Sequence, residues 1–546
     1  MVTMTASTEP YDLFIIGGGI NGAGIARDAV GRGYSVALAE MNDFASATSS
    51  SSTKLFHGGL RYLEFFEFRL VREALIEREI LLKAMPHISW PMRFVLPVHP
   101  DMRFESATPT SRLLSVIMPW TKGRRPRWLI RLGLFLYDHM GGRKILPATA
   151  SLDLRSAPEG APLGDRYQHA YEYSDCWVED SRLTLLNIRD AQDRGAKIFP
   201  RTKVTSATNK DGIWEISLQD RFGETSICRA KMMVNAGGPW VEDVIQNVTR
   251  LNTQQGVRLV RGSHIVTRRL YDHEKCYFFQ GTDGRIMFTI PYEEDYTLIG
   301  TTDAEHSDVS QAPVCSEEEA TYMIDFVNKY FKAPITRDDV VWTYSGVRPL
   351  YDDGASSATA ATRDYVLRVD TSAGAPVLNI FGGKITTYRK LAESALEDID
   401  TVFKKVTKPW TAGPALPGGD VTLKGITALE TALADQLPFL DPFTIRRLIR
   451  QYGTQCAKIF SDIKTVDDMG EAFGHGLFAH EVNWAISNEW VYGAEDFLWR
   501  RSKMGLRMSK EEVAALDNYI KAKNNTKCRI TRNKPKQKSK FISSII

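Results

Sequence analysis

A short apolar run that leads directly into closely spaced glycines is the feature that most constrains the fold. Residues 13–16 have the pattern of a buried strand, and Gly17, Gly19 and Gly22 follow at the spacing of a strand-to-helix turn. A stretch of helical character comes next, and a second apolar run ends at Glu40. This order of strand, glycine turn, helix and strand predicts a βαβ unit that binds a dinucleotide.

Each residue of this pattern has a chemical reason. Gly17 permits a tight turn, Gly19 has no Cβ to block a pyrophosphate, and Gly22 lets the helix pack closely on the strand. The helix N-terminus offers N–H groups and partial positive charge to phosphates. Glu40 can accept hydrogen bonds from ribose hydroxyls and would repel a 2′-phosphate, which favours FAD or NAD over NADP. The alternative, a glycine-rich turn in an ordinary α/β core, gives Glu40 no role.

Length and composition indicate a globular protein of several domains. At 546 residues the chain exceeds a single hydrophobic core, so two or three domains are expected. Six cysteines occur without a Cys-x-x-Cys pair, which favours reduced thiols, and no spacing of His, Cys and carboxylates predicts a metal site. We expect no signal peptide, and no apolar run approaches the roughly 20 residues that a membrane-spanning helix needs.

Alternating patterns predict further β structure, followed by a helical region. Residues 197–234 alternate like a meander, and residues 258–303 favour an antiparallel domain. A Pro/Gly-rich linker at 408–419 precedes a region that is helical to about residue 523, with a capping box predicted at Ser509-x-x-Glu512. From Lys521 onward the chain carries nine Lys and Arg and no acidic residue, which predicts a disordered tail.

Several blocks carry a more specific resemblance. They are Gly17-Gly-Gly-Ile-Asn-Gly-Ala-Gly24, Lys54-Leu-Phe-His-Gly-Gly-Leu-Arg-Tyr-Leu-Glu64, Tyr173-Ser-Asp-Cys-Trp-Val-Glu-Asp180, Gly262-Ser-His264, Gly300-Thr-Thr-Asp303, Trp342-Thr-Tyr-Ser-Gly-Val-Arg-Pro349, Phe381-Gly-Gly-Lys-Ile-Thr-Thr-Tyr-Arg389 and Ala494-Glu-Asp-Phe-Leu-Trp-Arg-Arg501. Together they resemble the FAD-dependent glycerol-3-phosphate dehydrogenases, in that family's order. The chain departs from the bacterial pattern around residues 104–125 and in the basic tail.

The resemblance implies an α/β plus α fold with three domains. These are a Rossmann-like FAD-binding domain of the glutathione-reductase/DAO type, an antiparallel-sheet substrate domain and a C-terminal helical domain. The expected boundaries are 10–90, 165–250 and 345–400 for the FAD-binding domain, 91–164 and 251–344 for the substrate domain, 410–523 for the helical domain and 524–546 for the disordered tail.

The implied activity is the oxidation of sn-glycerol 3-phosphate to dihydroxyacetone phosphate, with hydride transfer to non-covalently bound FAD. Arg61 and Tyr62 are expected to bind the substrate together with His57 and Thr386, because arginine grips phosphate bidentately and a tyrosine hydroxyl adds a donor. The alternative for Arg61 is an exposed arginine at a helix start.

Three residues are expected to be catalytic. His264 could take the C2 hydroxyl proton because an ordinary imidazole pKa is near ~6.5, whereas a lone histidine among apolar residues is more often a core group. Arg348 could stabilise a developing alkoxide, or form a structural salt bridge. Lys384 lies in a glycine-rich turn that enters a helix, or in an ordinary helix start. Which of the three takes the proton stays open, with His264 favoured by its pKa.

The expected FAD contacts share a position on glycine turns, on the segment after Glu40 or at strand ends. Thr48 and Ser49 are expected to donate to the pyrophosphate and Val204 to offer a backbone contact to adenine, and residues 236–239 resemble a second dinucleotide turn. The full set is Gly17, Gly19, Ile20, Asn21, Gly22, Glu40, Thr48, Ser49, Leu55, His57, Val204, Ala236, Gly237, Trp240, Arg348, Gly383, Lys384, Ile385 and Thr386.

A basic, tryptophan-bearing segment at residues 100–145 predicts attachment to an anionic membrane surface, although its apolar run could be a core helix. With the resemblance, this implies a quinone acceptor and a peripheral protein on the cytoplasmic face of the inner membrane, in a homodimer. An organelle is the alternative location.

Two other functions stay open. One is an oxidase of the same fold that passes electrons to O₂ and makes peroxide. The other is a non-catalytic flavin-binding regulatory protein whose tail engages nucleic acid or protein. Nucleic-acid binding is not expected, because the tail lacks interleaved aromatic residues.

Overall fold

The computed structural model describes residues 9–100, 102, 108–110, 116, 126–251, 256–281, 285–352 and 364–532, with side chains to residue 526. Its strands are β1 (Tyr11–Ile16), β2 (Val36–Ala39), β3 (Leu55–Phe56), β4 (Ser89–Val98), β5 (Ala150–Asp153), β6 (His169–Val178), β7 (Lys197–Phe199), β8 (Thr202–Lys210), β9 (Ile213–Asp220), β10 (Thr225–Asn235), β11 (Val257–Arg268), β12 (Cys276–Gln280), β13 (Ile286–Tyr292), β14 (Tyr296–Gly300), β15 (Ala304–Glu305), β16 (Val340–Tyr351), β17 (Val366–Asp370) and β18 (Val377–Phe381).

The helices are α1 (Ile20–Gly31), α2 (Phe68–Ala84), α3 (Arg127–Met140), α4 (Asp180–Asp193), α5 (Val241–Asp243), α6 (Glu317–Asn328), α7 (Tyr388–Phe403), α8 (Gly425–Gln436), α9 (Pro442–Tyr452), α10 (Cys456–Ile459), α11 (Ala479–Asn488) and α12 (Lys510–Arg532). Wider π-helical turns span Val244–Thr249 and Asp496–Arg501. Most of the basic segment between residues 101 and 125 lies outside the described residues, as does the tail from residue 533.

The first sheet has eight strands and contains the predicted βαβ unit. Its main path is β17-β18-β10-β1-β2-β7, and the five strands from β18 to β7 run parallel. The antiparallel meander β8-β9-β10 joins the sheet through β10. Both faces of β1 are covered, which is why its apolar residues form an unbroken run: Leu13 and Ile15 pack with α1, α4 and α7, whereas Phe14 packs with the meander side.

The second sheet has ten strands and is antiparallel except where β12 meets β4. Its main path is β15-β11-β14-β13-β12-β4-β6-β3, with β16 beside β11 and β5 beside β6. Three strands depart from the expected boundaries, because β3, β6 and part of β16 fall within the expected FAD-binding segments but lie in this sheet. A strand's period-2 pattern identifies its buried face but not its neighbour, so the sequence could not assign these partners.

Helices α8 to α12 form a C-terminal helical domain around two clusters of buried apolar side chains. The predicted capping box precedes α12, where the Glu512 N–H donates to Ser509 Oγ at 3.2 Å and the Ser509 N–H donates to Glu512 Oε2 at 2.8 Å. The disorder expected from residue 524 is wrong for its first residues, because α12 continues to Arg532. Asn524 anchors this turn by donating to the Val491 carbonyl at 3.1 Å.

None of the helices within the described residues is both long and apolar enough to cross a bilayer. Across the side chains that the structure describes, Cys176, Cys228, Cys276, Cys315 and Cys456 are free thiols. Burial raises the pKa of the Cys228 thiol to about 11, which keeps it protonated near neutral pH.

Candidate active site

The glycine turn between β1 and α1 separates two kinds of glycine. Gly17 has a φ of +107°, and a Cβ on Gly17 or Gly22 would strike the backbone oxygen of Ala236 or of Gly17, respectively. Gly19 has a φ of −80°, and a Cβ there would meet only the Ser49 Oγ, at 3.2 Å. The first two glycines are required by the packing of the chain, whereas Gly19 faces a cavity and leaves space there for a ligand.

Glu40 follows β2, and two backbone N–H groups fix its carboxylate. Oε2 accepts from the Gly18 N–H at 2.7 Å, and Oε1 accepts from the Asn42 N–H at 2.7 Å. Burial raises the pKa of Glu40, while the two N–H donors act in the opposite direction. Each oxygen retains a lone pair that can accept from a ribose hydroxyl.

The hydroxyls of Thr48 and Ser49 differ in what they leave for a ligand. Ser49 Oγ accepts from the Ile20 N–H at 2.9 Å, so its own hydroxyl proton can be donated to a phosphate oxygen. The Thr48 hydroxyl donates to the Val347 carbonyl at 2.5 Å. Donation from Thr48 to a pyrophosphate therefore requires that bond to break.

A second backbone turn faces the glycine turn. The Ala236 N–H donates to the Ile16 carbonyl at 2.9 Å, which joins the end of β10 to the end of β1. Asn235 braces the turn, because its Nδ2 donates to the Val241 carbonyl at 3.0 Å and its Oδ1 accepts from the Gly237 N–H at 3.3 Å. Gly237 thus comes to lie on the wall of the same cavity.

One cavity of ≈ 750 Å³ lies between the two sheets and gathers the predicted site residues. The predicted residues on its wall are Gly17, Gly19, Ile20, Asn21, Glu40, Thr48, Ser49, Leu55, His57, Arg61, Tyr62, Val204, Ala236, Gly237, Trp240, His264, Arg348, Gly383, Lys384, Ile385 and Thr386. Gly22 lies behind this wall against the Gly17 carbonyl. Residues from widely separated parts of the chain therefore meet at one place.

His264 lies on β11 in a row of paired residues that crosses the second sheet. It pairs with Gly300 on β14 and with Tyr344 on β16, and its ring stacks on that of Tyr344 at a centroid distance of 4.6 Å. A Cβ on Gly300 would collide with the imidazole. His264 Nε2 is 2.9 Å from Thr53 Oγ1, and its buried Nδ1 has no hydrogen-bond partner among the described residues.

The environment of His264 changes its acidity. Burial lowers its pKa well below the usual 6.5, and the positive charges of Arg348 and Lys54 act in the same direction. The expectation of an ordinary imidazole pKa is therefore wrong. The ring is neutral near pH 7, the protonation state in which it can accept a proton.

Arg348 lies on β16, two residues after Gly346, which pairs with Gly262 of β11. Its side chain packs over Gly262, where a Cβ would collide with the guanidinium. It is paired with Asp303 and donates to Thr301 Oγ1 at 3.2 Å. The guanidinium is thus held against the cavity wall by the residues that follow β14.

Lys384 and Tyr62 lie far apart in the sequence but close together in the fold. The Lys384 ammonium lies 4.1 Å from the centroid of the Tyr62 ring, a cation–π contact. Gly382 and Gly383 precede the lysine with φ values of +73° and +103°, which glycine adopts at little cost. Arg61 lies on the same side, in the 3₁₀ segment Leu60–Phe65.

Comparison with known proteins adds independent information. Residues 12–389 match the family described as FAD dependent oxidoreductase, and residues 410–525 match the C-terminal domain of alpha-glycerophosphate oxidase. The chain belongs to the FAD-dependent oxidoreductases. The expected fold class and the FAD cofactor are thereby confirmed.

Relatives of this FAD-dependent oxidoreductase align with it over nearly the whole chain. A D-erythritol 1-phosphate dehydrogenase of Brucella abortus is 46% identical over 94% of this chain and 98% of its own length. A glycerol-3-phosphate dehydrogenase of Pseudomonas aeruginosa is 44% identical over 94% and 96%. The structure of Bacillus halodurans glycerol-3-phosphate dehydrogenase complexed with FAD superposes with a TM-score of 0.67, at 25% identity over 94% and 95% of the two chains. The family resemblance seen in the sequence is confirmed.

The residues of this FAD-dependent oxidoreductase fit its cofactor. Gly19 leaves room beside the glycine turn, and Glu40 presents carboxylate oxygens to the cavity. Asn21 donates from Nδ2 to the Gly382 carbonyl at 3.1 Å, while its buried Oδ1 lacks a hydrogen-bond partner within the described part of the chain. A buried acceptor on the cavity wall is a place where a ligand N–H can bind.

Some residues around the site were not predicted from the sequence. Asp303 pairs with Arg348, and Thr53 contacts the imidazole of His264. Lys54 is buried beneath the site and bonded to Asp180 at 2.8 Å. Asp303 and Lys54 lie within the quoted family blocks, which is the signal that could have found them, but their partners are distant in the chain.

Proposed function

We propose that this protein oxidises sn-glycerol 3-phosphate to dihydroxyacetone phosphate with FAD and passes the electrons to a quinone at a membrane surface. When bound, FAD supplies the acceptor for the hydride that leaves C2. The observation that carries the proposal is the convergence of His264, Arg348, Lys384 and Arg61 on the cavity that also contains the dinucleotide turn.

The cationic side chains account for the binding of a phosphorylated substrate. A phosphate monoester carries nearly two negative charges at neutral pH, and Arg61, Lys384 and Arg348 bring positive charge to one wall. We assign the phosphate to Arg61 with Tyr62, and we place Arg348 beside the C2 oxygen, where it would stabilise developing negative charge.

His264 is assigned to take the C2 hydroxyl proton. Its ring is neutral near pH 7 because burial, Arg348 and Lys54 lower its pKa. A bound phosphate dianion would add negative charge to the same cavity, which favours the imidazolium and raises the pKa again. The base would therefore gain proton affinity when substrate arrives.

Anaerobic reduction of the bound flavin tests this function. We expect the flavin absorbance of the holoenzyme to bleach on addition of glycerol 3-phosphate and to stay unchanged with glycerol, because glycerol lacks the phosphate that the cations bind. An unchanged spectrum with glycerol 3-phosphate would contradict the proposal and favour a non-catalytic flavoprotein. His264→Asn should slow the bleaching while FAD is retained.

D-Erythritol 1-phosphate is a second candidate substrate. The relative that bears this activity in its name is 46% identical. The cavity also continues past His264 along the paired row Gly300, Phe288 and Phe278, and both phenylalanines line it. We place the additional hydroxymethyl group of the four-carbon substrate against this part of the wall, beside Phe288 and Phe278.

The ratio of kcat/KM for the two phosphates decides between these candidates. A higher value for the four-carbon substrate would reassign the physiological substrate without changing the chemistry. Phe288→Trp should narrow the extension and lower kcat/KM for D-erythritol 1-phosphate more than for glycerol 3-phosphate. Equal losses for both would argue against a substrate position along this row.

Helix α3 supports attachment to a membrane surface. Its inner side is fixed by buried Leu134 and by Tyr137, whose hydroxyl donates to Asp175 at 2.7 Å. Its outer side exposes apolar residues beside basic ones, an arrangement that suits the interface of an anionic bilayer. These outer residues are Arg127, Trp128, Arg131, Leu132, Phe135 and Leu136; we call them the outer face of α3.

An apolar part of the cavity lies on the side of this helix. Leu60, Phe65 and Leu70 line it, and α3 packs on the segments that carry these residues. A hydrophobic acceptor could therefore approach from a bilayer, which favours a quinone over O₂. Reduction of a quinone under anaerobic conditions, together with no release of peroxide in air, would support a quinone acceptor. Stoichiometric release of peroxide in air would establish an oxidase.

The remaining parts of the proposal concern location and assembly. We propose, as the family resemblance implies, that the enzyme lies on the cytoplasmic face of the inner membrane as a homodimer. Fractionation of cells followed by sedimentation of the solubilised enzyme would test both statements. Recovery of a monomer from the soluble fraction would contradict them.

A further inference from the structure

Residues 41–46, here called the ribose loop, connect Glu40 to the segment that carries Thr48 and Ser49. On its inner side the loop contacts the glycine turn, because the Ala45 N–H donates to the Gly18 carbonyl at 3.2 Å. Met41, Asn42, Ala45 and Ser46 line the cavity. The position of this loop therefore decides where the Glu40 carboxylate meets the cofactor.

The outer side of the ribose loop is held by the C-terminal helical domain. Asp43 is buried, with 3% of its surface exposed. Its carboxylate pairs with both Arg500 and Arg501, and one of these bonds, from Arg501 Nη2 to Oδ1, measures 2.9 Å. Phe44 packs edge-on against Trp490 at a centroid distance of 5.0 Å.

A second ion pair reaches the other side of the same pocket. Asp496 accepts from Arg201 at 2.5 Å and from Arg500 Nη2 at 2.6 Å. The residue after Arg201, Thr202, donates its N–H to the Glu40 carbonyl at 2.7 Å. Although burial acts to raise the pKa of Asp496, the charges of Arg501, Arg201 and Arg500 lower it, so this carboxylate stays ionised.

These contacts come from residues that do not touch the cavity. Within the described residues, its wall contains nothing beyond Thr386. The helical domain therefore acts on the site through the ribose loop and the segment at Arg201. A buried carboxylate that loses its partners is costly, so Asp43 can hold this position only while Arg500 and Arg501 are in place.

We propose that Trp490, Asp496, Arg500 and Arg501 form a clamp that positions the ribose loop and thereby sets the affinity for FAD. The four residues are positioning residues, since they act through Glu40 and its neighbours. The proposal rests on FAD as the cofactor, and it holds whichever phosphorylated substrate the enzyme oxidises. It gives the helical domain a role in cofactor retention.

Titration of deflavinated full-length protein with FAD tests the clamp. Asp43→Asn keeps the shape of the side chain and removes its charge. We expect it to raise the dissociation constant for FAD at least about tenfold, which corresponds to about 1.4 kcal/mol. An unchanged dissociation constant in the folded variant would overturn the proposal.

Glu489→Gln provides a matched control. Glu489 is fully buried, and its carboxylate pairs with Arg182 at 2.7 Å, a contact that also joins the helical domain to the first domain. Its backbone carbonyl accepts from Arg501 Nε at 3.1 Å, and the substitution keeps this carbonyl while it removes only the side-chain charge. We expect its FAD affinity to stay within about twofold of wild type. Equal weakening in both variants would show that general loosening of the domain contact, and not the clamp, controls FAD.

Hydrogen exchange in the deflavinated chain gives a readout without activity. Peptides that cover the ribose loop should exchange faster in Asp43→Asn but not in Glu489→Gln. If Asp43→Asn does not fold, Trp490→Leu replaces it, because Trp490 is half-buried and its ring contacts Phe44 of the ribose loop. Normal FAD affinity and normal loop exchange in folded Trp490→Leu would then overturn the clamp.

The result stays distinct from a failure of the proposed function. FAD affinity is measured without any substrate. A chain that binds FAD normally but does not oxidise a polyol phosphate would refute the proposed activity and leave the clamp intact. A chain that oxidises glycerol 3-phosphate while Asp43→Asn keeps wild-type FAD affinity would refute the clamp alone.

Discussion

Single residues in this site follow from two different constraints, the packing of the chain and the shape of its ligand. Gly17 and Gly22 are fixed by backbone oxygens beside them, whereas Gly19 faces open space. The sequence predicted all three from one motif and could not separate them. It also predicted His264 on the wall of the cavity but missed the depressed pKa, because the burial and the nearby Lys54 come from distant segments.

Substitution of these glycines distinguishes the two constraints. We expect Gly19→Val to fold with a thermal midpoint near that of wild-type apoprotein and to bind no FAD, because its side chain fills the space left for the pyrophosphate. Gly22→Val should fail to fold, since its Cβ would strike the Gly17 carbonyl. Circular dichroism and the flavin content after purification measure both. Stoichiometric flavin in Gly19→Val would move the cofactor elsewhere.

His87 gives a pH-dependent prediction at the same scale. Burial, reinforced by Arg182 and Arg450, lowers its pKa from 6.5 to about 3. Below pH 6.5 this histidine is protonated in the unfolded chain but stays neutral in the folded chain. The free energy of unfolding therefore decreases as the pH falls, by up to about 1.4 kcal/mol per pH unit. We expect His87→Leu to show a shallower loss in urea unfolding series. Parallel pH dependences of the two proteins would refute this.

At the level of elements, the sequence predicted whether a segment is a helix or a strand better than it predicted which strands pair with each other. The βαβ unit, the meander and the capping box at Ser509 are found as predicted. The placement of β6 and β16 in the second sheet was missed, because a strand's alternation does not name its partner. Helix α3 shows a related limit, since its sequence has apolar residues on both sides and only the fold separates the buried side from the exposed one.

The outer face of α3 is testable with vesicles. We expect Trp128→Ser combined with Phe135→Ser to reduce co-sedimentation with vesicles rich in anionic lipid several-fold, because apolar area available to the bilayer is removed. Flavin bleaching by substrate should persist. Phe222→Ser is a matched control, as Phe222 is exposed to a similar extent, 55% against 53% for Phe135, in the β9–β10 hairpin. Equal losses in both proteins would exclude α3 as the docking element.

For the whole molecule, the fold class followed from the opening motif and the family blocks, but the contacts between domains did not. The clamp joins Asp43 to Arg500 and Arg501, which lie 457 and 458 positions further along the chain. No local pattern encodes such a pair, because each partner alone is an ordinary charged residue. The segment beyond residue 521 is a further case, as its composition predicted disorder while α12 continues to Arg532.

Two truncations test which part of α12 contributes to stability. Deletion of residues 527–546 should leave FAD content, flavin reduction and the thermal midpoint near wild type. Deletion from Lys521 also removes Asn524 and its bond to the Val491 carbonyl, and should lower the stability of the helical domain by about 1 kcal/mol. Thermal melts followed by circular dichroism would detect this difference. An inactive protein of residues 1–526 would show that residues 527–546 are needed for activity and would contradict this prediction.

The pairing of Asp43 with Arg500 and Arg501 also bears on biosynthesis. A ribosome completes the glycine turn and Glu40 early, but the partners of Asp43 emerge 457 residues later. Until then the nascent chain carries an unneutralised aspartate where the finished protein has a buried ion pair. Flavin loading should consequently be a late event in the maturation of this enzyme, after Arg500 and Arg501 have left the ribosome, and chains terminated before these residues should accumulate without colour.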